Sequence, residues 1–489
     1  MDQKYIIALE FSGSQVKGAL VKAPSMPSSP MAIPSVEVVA HEDKASCVQY
    51  GRVHNLIDAA KDATIVIQKL ENSPKIRLGK IKSAYVGLAG RSLGSMHASA
   101  ELVLATEQEI TADIVKRLIG EATKMVPGDK MALAVLPTRF IVNNQATKSP
   151  VGALGSKIKG EFTVVTCSPV NRRNLERVLD DRLHLAVKDF VVTPLALADM
   201  VLGEEEKQLG CVLVDLGAQT TTVSIYKDRA LQHLATLPMG SNNITIDIAT
   251  GLSEVKERAE LVKIRQANAL PEPVSSTDVD ANRLNCYVQA RLGEIIANVA
   301  AQIEFAGFKP SDLSAGYVLT GRGAKLKNMA KAFEAQTKMK ARYASIPATV
   351  SVADSSVEPA DYASLIAIAL AGAKAADTEG CVEMPQAAPR QPEHDDTFDP
   401  YADDGDDSDV LLDSDDEERS KLQKADRQRV LEQQAAKREL ELKRKEQQRK
   451  QAQNKPPKPS LGDILRRKIT NFFTDNGEGD GEVDLDDNV

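Results

Sequence analysis

Val212-Leu213-Val214-Asp215-Leu216-Gly217-Ala218-Gln219-Thr220, followed by Thr222-Val223-Ser224-Ile225-Tyr226, is an apolar strand that ends on a carboxylate, turns through small residues and returns as a second strand. The pattern has a counterpart near the amino terminus. Ile6-Ile7-Ala8-Leu9-Glu10-Phe11-Ser12-Gly13-Ser14 is followed by Val16-Lys17-Gly18-Ala19-Leu20. A third strand-like run follows each pair, Val36–Val39 in the first and Ala230–Leu237 in the second. Two equivalent half-domains facing each other would place both carboxylates and both turns at one cleft. Such a turn offers phosphate oxygens its backbone N–H groups and hydroxyls. The carboxylate holds Mg²⁺, usually through water, because magnesium dehydrates reluctantly. A hairpin turn capped by an acidic residue is the plainer reading of either copy alone. The recurrence favours the phosphate site. A third element, Gly316-Tyr317-Val318-Leu319-Thr320-Gly321-Arg322-Gly323-Ala324, runs a strand into a glycine turn that a base or phosphate can approach closely.

Outward from these turns the chain reads as α/β up to about Lys374. Apolar runs at Tyr5–Leu9, Ala132–Leu136, Phe162–Thr166, Val212–Val214 and Tyr317–Leu319 alternate with helical stretches at Leu56–Leu70, Thr111–Lys124, Arg173–Leu183 and Val288–Phe305. Thr111 is the expected N-cap of its helix. The 489 residues suit two to four domains, and the 42% hydrophobic content suits a large core. Charge is unevenly placed. Residues 391–489 hold 17 basic and 27 acidic side chains, which leaves 1–390 near neutral and argues against a nucleic-acid-binding body. The five cysteines (Cys47, Cys167, Cys211, Cys286, Cys381) are dispersed, with no C-x-x-C pair, so neither a disulfide framework nor a zinc ribbon is expected. No signal peptide is read at the start and no apolar run is long enough to span a bilayer, so a cytosolic protein is expected.

The three elements in this order resemble the actin/Hsp70/hexokinase superfamily: a first phosphate motif, a second phosphate motif and an adenosine motif. Within it, the resemblance is to the FtsA family of actin-like bacterial cell-division proteins. Leu136-Pro137-Thr138-Arg139-Phe140-Ile141-Val142-Asn143, Ser149-Pro150-Val151-Gly152-Ala153-Leu154-Gly155 and Asn174-Leu175-Glu176-Arg177-Val178 look like that family's extra subdomain. Thr193-Pro194-Leu195-Ala196-Leu197-Ala198 closes the segment. Thr245-Ile246-Asp247-Ile248-Ala249 and Ala259-Glu260-Leu261-Val262-Lys263 match the stretch after the second phosphate motif. The resemblance covers about residues 4–374.

It implies a two-lobed, actin-like (duplicated ribonuclease-H-like) ATPase fold. Residues 1–100 would form lobe 1, 101–185 the extra subdomain and 186–205 the return to lobe 1. Lobe 2 would comprise 206–239 and 306–374, with a partner-binding subdomain at 240–305. It implies ATP and Mg²⁺ as cofactors, held by Glu10, Ser12, Gly13, Ser14, Asp215, Gly217, Gln219, Thr220, Glu260, Lys263, Gly321, Arg322 and Gly323, with Glu10 and Asp215 on the metal. The sequence departs from the family pattern at Glu10, where Asp is usual, and at Ser12-Gly13, where Gly-Thr or Gly-Ser is usual. Ala218-Gln219 replaces a Gly pair, Thr222 replaces an Asp, and Arg322 replaces a Gly. ATP binding is expected to survive these changes, with hydrolysis weak or absent.

The tail divides by composition. Residues 375–416 read as an acidic, disordered linker, and 391–418 contain 14 acidic side chains and no basic one. Residues 417–455 read as a charged helical segment with Glu→Lys pairs at i,i+4, such as Glu439/Lys443 and Glu441/Lys445. Within 456–474, after a Pro hinge, Leu461, Ile464, Leu465, Ile469, Phe472 and Phe473 form one helical stripe beside Arg466, Arg467 and Lys468. An in-plane membrane helix on anionic inner-membrane lipid explains both features, and the FtsA family also resembles this in ending on such a helix. Docking on a protein partner or on the body is the alternative. Residues 475–489 read as an acidic end.

The expected function is a scaffold that self-associates, links the tubulin-like division protein FtsZ to the inner face of the membrane at the division site, and meets later division proteins. The family's Arg-x-x-Glu pair for the FtsZ C-terminal peptide falls on Arg291 and Glu294; an ordinary surface ion pair is the alternative there. A pilus-assembly-type actin-like scaffold is the rival reading. A sugar-kinase-like phosphotransferase is a further alternative, although no motif identifies its catalytic base.

Overall fold

The computed structural model describes residues 4–22, 35–42, 47–76, 79–270, 279–354, 357–375 and 380–383. The chain divides near Arg390, and the charged segment, the amphipathic stripe and the acidic end expected of the tail lie outside the described residues.

The first sheet runs in the spatial order Ala186–Val192, Ser83–Leu88, Tyr5–Phe11, Gln15–Lys22, Ser35–Glu42, Ser351–Val352. Tyr5–Phe11, Gln15–Lys22 and Ser35–Glu42 form an antiparallel meander, while Ser83–Leu88 and Ala186–Val192 lie parallel to the first strand's side. Tyr5–Leu9 is an unbroken apolar run because both faces of the sheet are covered. On one face Gly18 lies under Val66 and Leu70 of the helix Leu56–Glu71, next to Leu9. On the other, Ile6 and Tyr85 meet Gly372 of the helix Ala363–Ala375, and Gly87 meets Ile368. Glycine at 18, 87 and 372 lets helix and sheet close to contact. A Cβ at any of the three would come within 2.8 Å of a neighbouring side chain.

The second sheet repeats the device. Cys211–Leu216, Thr221–Lys227 and Ala230–Leu237 form the second meander, and Gly316–Thr320 lies parallel to its first strand, followed by Ala341–Tyr343. Helices Ser241–Gly251, Lys256–Gln266, Val279–Phe305 and Met329–Thr337 accompany it, with Val212, Val214, Ile295, Val299, Tyr317 and Phe333 in its core. The inserted segment has strands Gly94–Glu109, Met131–Val142 and Leu154–Cys167 under the helix Ala112–Lys124, which Thr111 caps through the Ile114 N–H. It has its own core around Ile114, Leu118, Phe140 and Phe162. Its first strand also joins the second sheet at Gly94–Ala235, where the Leu234 N–H donates to Ser95 Oγ (2.8 Å). Among the described residues, nine strands thus run as one sheet through the insert and the second lobe.

Three expectations are corrected. Residues 306–374 do not lie wholly in the second lobe. The helix Ala363–Ala375 packs on the first sheet, because the residues it buries there, Leu365, Ile366 and Ile368 among them, are all apolar. Order does not end at about 374 either: Val382–Glu383 pairs with Lys80–Ile81, the Cys381 N–H donates to Tyr5 O (2.7 Å), and the Cys381 side chain is buried. The helix expected over Arg173–Leu183 starts earlier, at Pro169 behind the cap Ser168, and widens into a π-type turn over Arg177–Arg182.

Arg342 ties Glu206 of the second lobe to a helix of the first. Its guanidinium donates to both Glu206 carboxylate oxygens (2.7 and 2.6 Å) and to Val201 O (3.2 Å), at the end of the helix Thr193–Val201. The Arg342 hydrogen bonds hold the Glu206 carboxyl below its ordinary range. A depressed carboxyl adds stability at pH values above its unfolded pKa, and loses it as pH falls through the folded one. Arg342→Met should therefore cost about 1–3 kcal/mol at neutral pH, with the difference shrinking below about pH 4. Urea melts at both pH values check it.

Candidate functional site

Both hairpins close through four residues, 12–15 and 217–220, because Phe11 pairs with Val16 and Leu216 with Thr221. The register then sets Glu10 opposite Lys17 and Asp215 opposite Thr222. In the first hairpin, Lys17 Nζ donates to Glu10 Oε2 at 3.1 Å, with both side chains largely buried. Ser12 Oγ donates to Gln15 O (2.8 Å) and so fixes its own turn, while Ser14 is exposed. In the second, the Gly217 N–H donates to Thr220 O (2.9 Å), and Thr222 shares a hydrogen bond with Thr236 (3.3 Å). Thr222, at the position where the resemblance expects Asp, brings no charge.

The two turns meet. Gln219 reaches across from the second hairpin so that its Cδ and Oε1 lie 3.0 and 3.1 Å from where a Cβ on Gly13 would sit. The Tyr50 N–H donates to Gln219 Oε1 at 2.6 Å. Gly321 (φ +85°) closes from the third element, where a Cβ would fall 2.5 Å from Asp215 Oδ1; such a φ suits glycine. Gly323 packs on Leu216, and Arg322 opens the turn between them. Asp215, partly buried, has its carboxyl pushed up to about 6, first by burial and then by the negative charge of Glu10, against the pull of Lys17. A divalent cation reverses both effects, and two carboxylates beside these small-residue turns are a donor set that suits magnesium.

The second turn is also strapped to the helix Ser241–Gly251: the Ser241 and Asn242 N–H groups donate to Gly217 O (3.0 Å) and Ala218 O (2.8 Å). One helical turn on, Thr245 donates to Glu260, and Lys263 Nζ donates to Ser241 O (3.1 Å), Thr245 Oγ1 (2.8 Å) and Glu260 Oε2 (2.7 Å). Burial pulls the Lys263 ammonium below its ordinary range, Glu260 opposes that, and the charges of Lys256 and Arg322 add to the drop. Glu260, Lys263 and Arg322 therefore share one electrostatic neighbourhood on the second lobe.

Arg291 and Glu294 lie elsewhere, at a cavity of about 400 Å³ lined also by Asp247, Thr250, Gly251, Tyr287 and Ala290. Arg291 forks onto Asp247 (Nε–Oδ2 2.6 Å, Nη2–Oδ1 3.1 Å) and also bonds Glu294. Asp247 holds the guanidinium above its ordinary range.

The roles of Lys17, Asp247 and Asn171 emerge from the structure alone. The hairpin register would have revealed Lys17, since four closing residues set 17 opposite 10. Asn171, buried, donates through Nδ2 to Gly51 O and Ala89 O (3.0 Å each), and so holds the loop that carries Tyr50. Asn171→Ala should cost about 1–3 kcal/mol in urea unfolding, because two carbonyls lose their donor.

Two family models match the chain: Cell division protein FtsA over residues 212–367, and the SHS2 domain inserted in FtsA over residues 90–166. The Cell division protein FtsA of Porphyromonas gingivalis is 29% identical over 301 residues, covering 59% of this chain and 62% of its own. That of Pseudomonas aeruginosa is 30% identical over 262 residues, covering 50% and 62%. The chain thus spans about three-fifths of the length of these curated relatives. Among solved structures, the PilM-PilN type IV pilus biogenesis complex matches with a TM-score of 0.52 at 15% identity, covering 75% of this chain and 98% of that one. At that identity the likeness shows the fold alone.

Proposed function

We propose, from the matches to the two FtsA family models and to the curated FtsA relatives, that this chain is a member of that family and an ATP-binding scaffold of cell division that self-associates and tethers FtsZ to the inner face of the cytoplasmic membrane. The observation that carries the nucleotide part is the meeting of three turns at one place, Gly13 against Gln219 and Gly321 against Asp215. In this reading Asp215 and Glu10 hold magnesium, largely through water. Lys17 and the backbone of turns 12–15 and 217–220 hold phosphates, and Glu260, Lys263 and the Gly321-Arg322-Gly323 turn hold the nucleoside. Bound magnesium supplies charge neutralisation for the phosphate chain. The neutral Thr222 favours slow or undetectable hydrolysis. A fluorescent fusion in dividing cells tests the whole reading: a mid-cell ring supports it, and a diffuse or polar signal in cells that are constricting opposes it.

The Arg291 cavity is the proposed seat of the FtsZ C-terminal peptide. Arg291→Glu would gather three carboxylates, Asp247, Glu294 and the new one, and should weaken the peptide at least about tenfold. Fluorescence anisotropy across a salt titration checks this. Full-strength binding at every salt concentration would show that the two residues do not carry the contact. The stripe Leu461–Phe473 with its cations is the proposed membrane anchor. No helix among the described residues is long and apolar enough to cross a membrane.

A further inference from the structure

Among the described residues the Lys17 ammonium has two partners. One is the Glu10 carboxylate at 3.1 Å. The other is the ring of Tyr362, whose centroid lies 5.8 Å from Nζ. A ring face attracts an ammonium at such a distance, and more strongly where water is excluded. Water is largely excluded here, since the Lys17 side chain is 7% exposed. Tyr362 is itself held on both sides. Behind it, the helix Ala363–Ala375 packs on the first sheet. Ahead of it, in the short turn Pro359–Tyr362, Asp361 accepts from Lys325 Nζ (2.8 Å). Lys325 closes the turn Arg322–Lys325, which continues from Gly321. The ring therefore stands between the turn read as the nucleoside seat and the cation read as a phosphate ligand.

The charge of Lys17 is felt at Asp215 in the facing turn, which puts the ammonium at the cleft. In the nucleotide reading Glu10 serves magnesium, and a carboxylate shared with a dication holds a lysine less tightly. Lys17 is then left with the phosphate chain and a single protein partner. We propose that Tyr362 is a positioning residue for nucleotide binding, its ring keeping the Lys17 ammonium on the phosphate path once Glu10 turns to magnesium. The inference rests on the nucleotide reading above and adds to it a residue from outside the three turns. Through the Asp361–Lys325 pair, the nucleoside turn and the phosphate cation become parts of one frame.

The test is isothermal titration of the full chain with Mg·ATP, against Tyr362→Leu, Tyr362→Phe, Lys17→Met and the double variant Lys17→Met with Tyr362→Leu. Tyr362→Leu should weaken Mg·ATP about five- to tenfold, the scale of one desolvated cation–ring contact. Tyr362→Phe keeps the ring and should stay within about twofold of the parent. With Lys17 already replaced, Tyr362→Leu should change the affinity by less than about twofold, because the ring has lost its cation. Adenosine, which has no phosphate for Lys17 to reach, supplies a second readout: Tyr362→Leu should bind it as the parent does. Equal losses for Mg·ATP in both backgrounds, or for Mg·ATP and adenosine alike, would show that Tyr362 shapes the cleft without acting through Lys17, and would overturn the inference while the nucleotide site stands. An unchanged affinity in Tyr362→Leu, or a loss in Tyr362→Phe as large as in Tyr362→Leu, would overturn it equally. If the unsubstituted chain binds no Mg·ATP, the nucleotide reading falls and this inference falls with it.

Discussion

Asp215→Asn should make the metal-free protein more stable at neutral pH and at the same time remove all stabilisation by Mg·ATP. The two effects have one origin. The carboxyl is raised from 3.8 to about 6 by burial and by Glu10. Between those values the folded state keeps a proton that the unfolded chain releases, so stability falls as pH rises through the window. Above about 6 the loss is complete, on the order of 2 kcal/mol for a partly buried group. Asparagine carries no such charge, so its advantage should be full at neutral pH and should vanish towards pH 4. Magnesium reverses the sign for the natural residue, because a dication beside two carboxylates repays their repulsion. Nucleotide at a hundredfold excess over Kd should stabilise the unsubstituted protein by about 2.7 kcal/mol, and the Asn variant by nothing. Thermal melts in EDTA and in Mg·ATP measure both. A variant that still shifts with Mg·ATP as its parent does would remove Asp215 from the site.

The second large effect is expected at the proposed anchor. Phe472→Glu with Phe473→Glu takes two aromatic rings off the apolar stripe and sets two carboxylates where anionic headgroups would lie. Burying a Phe side chain contributes about 1.5–3 kcal/mol, so losing two should lower partition onto anionic vesicles at least about 100-fold. Nucleotide binding by the body should not change. Co-sedimentation at the parent's level would show that the stripe docks on protein instead.

Much of this architecture is legible in the amino-acid order, and the exceptions share a cause. The apolar runs at Tyr5–Leu9 and Val212–Val214 reveal themselves because both faces of each are covered, and their terminal carboxylates mark the turns. Lys17 is hidden because its partner is set by cross-strand register and not by spacing along the chain. Asp247 and Arg291 are 44 residues apart, and only the packing of two helices brings them together. The helix Ala363–Ala375 is apolar almost all round, so its pattern carries no direction and cannot say which sheet it covers. Val382–Glu383 is too short a strand to announce itself. Gln219 stands out in the sequence as a departure from glycine, but its reach to Tyr50 depends on the distance between lobes.

The continuity of strands from the insert into the second lobe constrains how this molecule can flex. The insert leaves the first lobe after Ser83–Leu88 and returns to it at Pro169, yet its edge is bonded to the second lobe at Gly94–Ala235 and Ser95–Leu234. If the lobes turn relative to one another, this seam must either tear or carry the insert along. A few ladder bonds tear more easily than a whole core deforms. The seam is therefore the contact between insert and second lobe that gives way when the lobes turn, and losing it would leave the core of each intact.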